Sequence, residues 1–234
     1  MSFRWLRQWM GITDITQTPR SRLRISIPLV SVQFLPALTA FQIQNPDIEL
    51  DIDCDNRRVK LVEEGYDVVI RTGNVEDESL ASCELGSFRL FIVGTPDYLA
   101  RHGRPQCPSD LANHAIVQYR MPHNGQLMQW PLLLEEGEQP PQLAPRVVCN
   151  SNEARLHSAL EGLGLTCMSE FSVRDALQAG KLEAVLEPYT QSRHTFRLVW
   201  AESSAARPEL QTFTKFVSTM MTKGTTHAPD TPQT

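Results

Sequence analysis

The chain has 234 residues, 41% hydrophobic and 21% charged, enough for one large domain or two small lobes of a globular protein. Twenty-two basic against 27 acidic residues leave a formal charge of −5, which excludes the overall basic excess of a nucleic-acid binder. No run approaches the roughly 20 apolar residues a bilayer span needs.

Met1–Met10 sets Arg4 and Arg7 among Phe3, Trp5, Leu6 and Trp9, with no long apolar run or small-residue cleavage site behind it, so export is not expected. From Leu23 the chain alternates strands and helices, the rhythm of a largely parallel sheet covered by helices. Leu23–Pro28 reads as a buried strand. Phe34, Leu35, Leu38 and Phe41 have helical spacing, stopped at Asn45-Pro46. Ile48–Cys54 alternates Ile48, Leu50 and Ile52 with Glu49, Asp51 and Asp53, a half-buried strand near a sheet edge. A short helix is predicted over Arg57–Glu64, ended by Gly65, and a buried strand over Asp67–Arg71.

Leu90–Val93 predicts a strand, followed by Thr95-Pro96-Asp97 as the cap and first turn of a helix closed by Gly103. Ser109–Asn113 predicts another helical turn, and Ala115–Tyr119 and Gln129–Leu134 predict strands before a proline-rich loop at Glu135–Pro145. Val147–Cys149 restarts the alternation. Asn150 and Glu153 stand at capping-box spacing ahead of a helix over Ala154–Glu161. Leu165–Met168 (strand), Phe171–Gln178 (helix), Leu182–Leu186 (strand), Phe196–Ala201 (strand) and Glu209–Met221 (amphipathic helix) complete the pattern. Thr222–Thr234 has no aliphatic core residue and reads as a disordered tail. Breaks in rhythm near Val93–Pro96 and Thr195–Trp200 suggest that the chain crosses twice between two lobes.

Reactive chemistry is not indicated. Cys54, Cys83, Cys107, Cys149 and Cys167 are odd in number, scattered and without a C-x-x-C pair, which argues against a disulfide framework or zinc site and for free thiols in a reducing compartment. The six histidines are dispersed, G-x-S-x-G is absent, and Glu161-Gly162-Leu163-Gly164 lacks phosphate-loop spacing and reads as a helix C-cap. What recurs is a strand running into a polar turn: Ile25–Pro28 before Ser31, Val68–Arg71 before Thr72, Val147–Cys149 before Asn150-Ser151-Asn152, and Leu165–Met168 before Ser169. Hydroxyls and free helix-terminal N–H groups at such turns can cap the next helix or hold a small polar or anionic ligand. Arg71 stands among them and could pair with a ligand carboxylate or with an acid of its own lobe.

Several segments in this order resemble the effector-binding domain of LysR-type transcriptional regulators: Leu23–Pro28, Phe34–Phe41 with Asn45–Ile48, Leu61–Gly73, Thr95–Leu99, Ala159–Leu165 and Gly180-Lys181-Leu182. The likeness spans Leu23 to Met221, and Glu64–Gly73 especially resembles the glycine-cleavage-activator-like branch. It implies an α/β, two-lobed fold of the type 2 periplasmic-binding-protein kind with mixed sheets covered by helices. Lobe I would comprise 23–91 and 197–221, lobe II 92–196, residues 1–22 a leader or linker remnant, and 222–234 the tail. The family's N-terminal winged helix-turn-helix has no counterpart in Met1–Arg22. The resemblance further implies a non-catalytic, cytoplasmic regulatory domain that binds a small, anionic metabolite through Ser31, Val32, Thr72, Asn150, Ser151, Asn152 and Ser169. No cofactor, metal or membrane is implied. The partners expected are the small-molecule effector and a second copy or another LysR-type chain, with no DNA binding by this chain alone. A stand-alone solute-binding or dimerisation module of the same fold is the alternative.

Overall fold

A computed structural model describes residues 21–28, 33–55, 57 and 59–224, with side chains as far as 221. Strand β1 (Ser21–Ile27) carries Leu23, Ile25 and Ile27 inward, all fully buried. Helix α1 (Leu35–Gln44) follows and seats Leu38 and Phe41 on the same core. Strand β2 (Ile48–Cys54) pairs parallel with β1 in full register, Ser21 with Ile48 through Ile27 with Cys54, and lies at the sheet edge as its alternation predicts. The expected helix at Arg57–Glu64 is not formed. Leu61–Gly65 is a single turn, in which Glu64 N–H donates to Lys60 O and Gly65 closes with φ +70°. Val59 and Leu61 instead pin an irregular segment to a small core with Tyr66, Val69 and Val199.

Strand β3 (Val68–Thr72) joins β1 in parallel. Strand β4 (Leu80–Gly94) is far longer than its apolar C-terminal part foretells. After it come α2 (Pro96–His102), capped by the Thr95 hydroxyl accepting from Tyr98 N–H, a 3₁₀ turn (Pro108–Asn113) and β5 (Ala115–Tyr119). Gln129–Leu134 is not a strand. Trp130 turns inward, its indole N–H donating to Gln118 Oε1 at 3.2 Å, and Pro131 next to it cannot donate to a ladder. Strand β6 (Ala144–Cys149) pairs parallel with β5, so the predicted loop ends at Leu143. The chain continues through α3 (Asn152–Leu160), β7 (Thr166–Ser169), α4 (Glu170–Gln178), β8 (Glu183–Val185), β9 (Arg193–Ala201) and α5 (Pro208–Gly224). Three residues of the stretch expected as tail therefore belong to α5; residues 225–234 lie outside those described.

Among the described residues the main sheet runs β2-β1-β3-β9-β4-β7, with β8 also on β4. It is mixed rather than largely parallel, because β9 is antiparallel to both β3 and β4. Leu80–Arg89 of β4 pairs with β9, whereas Leu90–Gly94 pairs with β7 and β8. One strand thus serves two cores. The first holds β1, β3 and β9 against α1 and α5, with Phe41 and Phe213 edge to face at 5.0 Å. The second gathers Ile92, Tyr98, Leu111, Ile116 and Leu165, and the other face of β7 packs Met168 against Ala159 and Val173.

Candidate functional site

Strand polarity defines the place. β1 and β3 run parallel to each other and, through antiparallel β9, in the same direction as β4. β7 runs against β4; β5 follows β7 through the Ile116–Leu165 bridge, and β6 follows β5. The C-terminal ends of β1 and β3 therefore point toward those of β6 and β7. Thr72 lies opposite Phe196, which lies opposite Gly86, while Ser169 lies opposite Leu90. Four steps along β4 separate the two levels, about 13 Å along the strands at the usual rise, and β9 and β4 lie between β3 and β7 across the sheet. The gap is flanked on one side by Thr72 and on the other by the Asn150–Asn152 turn and Ser169.

Ser31 and Val32 lie outside the described residues. Thr72 is exposed at the end of β3. Asn150 is exposed as well, and the α3 cap is Ser151, whose hydroxyl accepts from Ala154 N–H at 3.2 Å; the Asn150–Glu153 capping box predicted from spacing is not the one used. Ser151 wins because its extended backbone places Oγ over the first free N–H groups. Ser169 stands at the N-cap of α4 without capping it, its hydroxyl hydrogen-bonded to that of Ser172 at 2.7 Å. Arg71 alternates with Thr72 and so projects from the opposite face of β3, where its charge helps to lower the Asp77 carboxyl after the stronger hydrogen bonds from Ser79.

Two features of this region were not foreseen. The first is Arg155, only 5% exposed, in the first turn of α3. Its Nη1 donates to Cys167 O at 3.1 Å, its Nη2 donates to Asn152 Oδ1, and its guanidinium lies 4.6 Å from the Tyr119 ring centroid. Nε has no partner, and no carboxylate pairs with the group among the described residues. Burial lowers its pKa from the ordinary guanidinium value, yet arginine keeps its proton in proteins. Burial pushes the neighbouring Cys167 thiol up to about 12, so it supplies no compensating thiolate. A buried positive charge thus sits behind Asn152 and directs that side chain: Oδ1 is held by Arg155, which leaves the amide N–H₂ to donate elsewhere. The second feature is an aromatic group on the sheet face between Thr72 and Ser169, formed by Phe88, His194 and Phe196 with Phe171 against them.

Residues lining the cavities are different ones. A cavity of about 270 Å³ is bounded by Arg104, Pro105, Leu186 and Tyr189, and one of about 230 Å³ by Arg89, Phe91, Glu170 and Arg174. The latter opens on the face of β4 opposite Phe88 and Leu90. Neither includes Thr72, Asn150–Asn152 or Ser169. Among the described residues no group of His, Cys, Asp and Glu is arranged to hold a metal ion, and no helix is long and apolar enough to cross a membrane.

Comparison with known proteins places this geometry. The profile of the LysR substrate binding domain matches residues 16–222. The uncharacterised HTH-type transcriptional regulator YhjC of Escherichia coli is 32% identical over 203 residues, covering 86% of this chain and 68% of that protein. The HTH-type transcriptional regulator CrgA of Neisseria meningitidis is 29% identical over 206 residues, covering 87% and 68%. The structure of the CrgA regulatory domain superposes with a TM-score of 0.73 at 28% identity, covering 86% of this chain and 98% of that one. The full-length virulence activator AphB of Vibrio cholerae gives 0.75 at 25% identity, covering 91% and 74%.

Proposed function

This chain belongs to the LysR substrate-binding-domain family and has its type 2 periplasmic-binding-like fold, and we propose that it binds a small polar or anionic effector in the gap between the facing strand ends. It is the effector-binding domain of a LysR-type regulator of transcription. The observation that carries the ligand reading is the uncompensated Arg155 guanidinium behind the N-terminus of α3. A helix N-terminus and a buried cation both favour a negative group, and the reading is supported by the hydroxyl and amide donors that follow the facing strand ends. In this reading Thr72 contributes from one side and Asn150, Ser151, Asn152 and Ser169 from the other, and Ser31 and Val32, which lie outside the described residues, are assigned to the same site.

In this reading residues 23–91 and 197–221 move as one lobe and 92–196 as the other, with the β4–β9 ribbon around Arg89–Phe91 and Arg193–Phe196 as the hinge. A bound effector closes the gap and so resets how the regulator engages DNA. The chain acts in the cytoplasm as a homodimer or beside another LysR-type chain, does not catalyse, and does not itself read a DNA sequence. Its net negative charge supports the last point.

The test is a thermal-shift screen of small carboxylates and phosphates, followed by calorimetric titration of the first that raises the melting temperature, on the parent chain and on Ser31→Ala and Ser169→Ala. Each variant is expected to bind roughly three- to tenfold more weakly, the loss of about one hydrogen bond. Unchanged affinity in both would leave these serines as local turn formers and refute the assignment.

A further inference from the structure

The face of the sheet that spans the gap can be followed residue by residue. Directly paired residues project to the same side, as do residues two apart along a strand. Thr72, Phe196, Gly86, Phe88, His194, Leu90 and Ser169 therefore share one face. Gly86 pairs with Phe196, and the bulge between Glu84 and Gly86 bends β4 at that level. Phe88 stacks on Phe196, with centroids 4.6 Å apart and planes 26° from parallel. Phe171, one residue into α4, meets Phe88 edge to face at 5.3 Å, and His194 lies against Phe88 at 5.5 Å.

The group is not merely a core. Phe196 is buried, but Phe88, Phe171 and His194 are each only partly buried. His194 also carries a buried Nε2 with no hydrogen-bond partner among the described residues. Most buried polar atoms in folded proteins have a partner, so this orphaned ring nitrogen beside partly buried aromatic surface is a group that a ligand atom would satisfy. Desolvation lowers the imidazole pKa, keeping the ring neutral and one nitrogen an acceptor.

Resting on the reading of this gap as the effector site, we propose that the effector is an aromatic carboxylate. Its ring lies against Phe88 and Phe171, a ring substituent reaches His194 Nε2, and its carboxylate faces Ser169 and the Asn152 amide in the field of Arg155. Aromatic rings attract one another edge to face beyond the area they bury, whereas a saturated ring of equal bulk retains only the burial.

The experiment titrates the whole chain calorimetrically with matched acids: benzoate and cyclohexanecarboxylate, salicylate and 2-hydroxycyclohexanecarboxylate, cinnamate and 3-cyclohexylpropanoate. At least one aromatic acid is expected to bind about three- to tenfold more tightly than its saturated counterpart. That ratio should fall to about one in Phe88→Leu and in Phe171→Leu, the second variant guarding against loss of fold in the first. It should persist in Phe91→Leu, whose ring is on the other face. Equal binding of saturated acids, a ratio that survives both leucine variants, or no binding by any aromatic acid overturns the proposal. If saturated acids bind as well but Ser169→Ala still weakens them, the site stands and only the aromatic assignment falls. If Ser169→Ala and Arg155→Met change nothing for any bound acid, the site itself is misassigned.

Discussion

Replacing Arg155 by methionine should leave the fold nearly as stable while removing most of the affinity for an anion. Two charge-assisted hydrogen bonds disappear, to Cys167 O and to Asn152 Oδ1, about 1.5–3 kcal/mol each. The contact with the Tyr119 ring adds about 1–2 kcal/mol when desolvated. Against this, the folded state no longer holds a 5%-exposed guanidinium without a carboxylate, and withdrawing an ion from water costs several kcal/mol. Methionine fills much of the same volume. The opposing contributions are of similar size, so urea unfolding followed by circular dichroism should show a change within about 2 kcal/mol. Binding has no such offset: a charge roughly 6–8 Å from a ligand carboxylate at an effective dielectric of about 20 contributes about 2–3 kcal/mol. Calorimetry on the first stabilising acid should then show Arg155→Met binding about thirty- to a hundredfold more weakly. The corresponding neutral amide should bind parent and variant alike. A loss of more than about 4 kcal/mol in stability with ligand affinity untouched would make Arg155 a structural tie between α3 and β7 and refute its role in binding.

Gly164 approaches β5 so closely that an added Cβ would stand 2.2 Å from Ala115 O; Gly164→Ala should destabilise by about 2–3 kcal/mol or more, and a shift in urea midpoint equivalent to less than about 1 kcal/mol would contradict that packing. Burial, and secondarily the charge of His102, lower the pKa of His114, whose Nδ1 lies 3.2 Å from the Tyr98 hydroxyl. Because the folded pKa is depressed, the unfolded chain binds more protons just below the unperturbed value of 6.5, so stability is full above it and declines as pH falls through that window. His114→Gln should flatten the decline between about pH 7.5 and 5.5, leaving the share that His194, also depressed, supplies; an unaltered slope would assign the dependence elsewhere. Ser151→Ala should cost about 1 kcal/mol through loss of the α3 cap, with Ser151→Asp restoring it. The β2 edge and neighbouring α1, where Ile43 is 74% exposed, should support a dimer in sedimentation at tens of micromolar (about the range of a modest interface), and a monomer throughout would count against it.

The parts of the fold legible in the sequence are those whose signal is local. Strict alternation defines Ile48–Cys54 to the residue, and Thr95-Pro96 followed by Gly103 brackets α2 because cap, fixed φ and positive φ are properties of single residues. The first half of β4 was not legible. Ala81–Arg89 mixes charged and small residues around Gly86, and it is extended because β9 pairs with it across a bulge. Arg57–Glu64 carries helical spacing, yet its Val59 and Leu61 serve a core contributed by β3 and β9. The proposed site divides along the same line. Turns after strands can be read from hydroxyls and amides in sequence, so Thr72, Asn150–Asn152 and Ser169 could be singled out. By contrast, an arginine in an amphipathic helix reads as solvent-facing until Tyr119 and Cys167, one on β5 and one on β7, are folded against it. Phe88, Phe171, His194 and Phe196 come from three elements and meet only because β4 leaves one ladder and enters another at Arg89–Leu90. That junction requires no consensus motif: it requires that one strand be long enough to pair on both sides of the gap. In the proposed site the residues that would choose the ligand are therefore fixed by register, whereas those that merely end the strands are fixed by composition, and under that proposal the first group is where relatives sharing this fold diverge in what they bind.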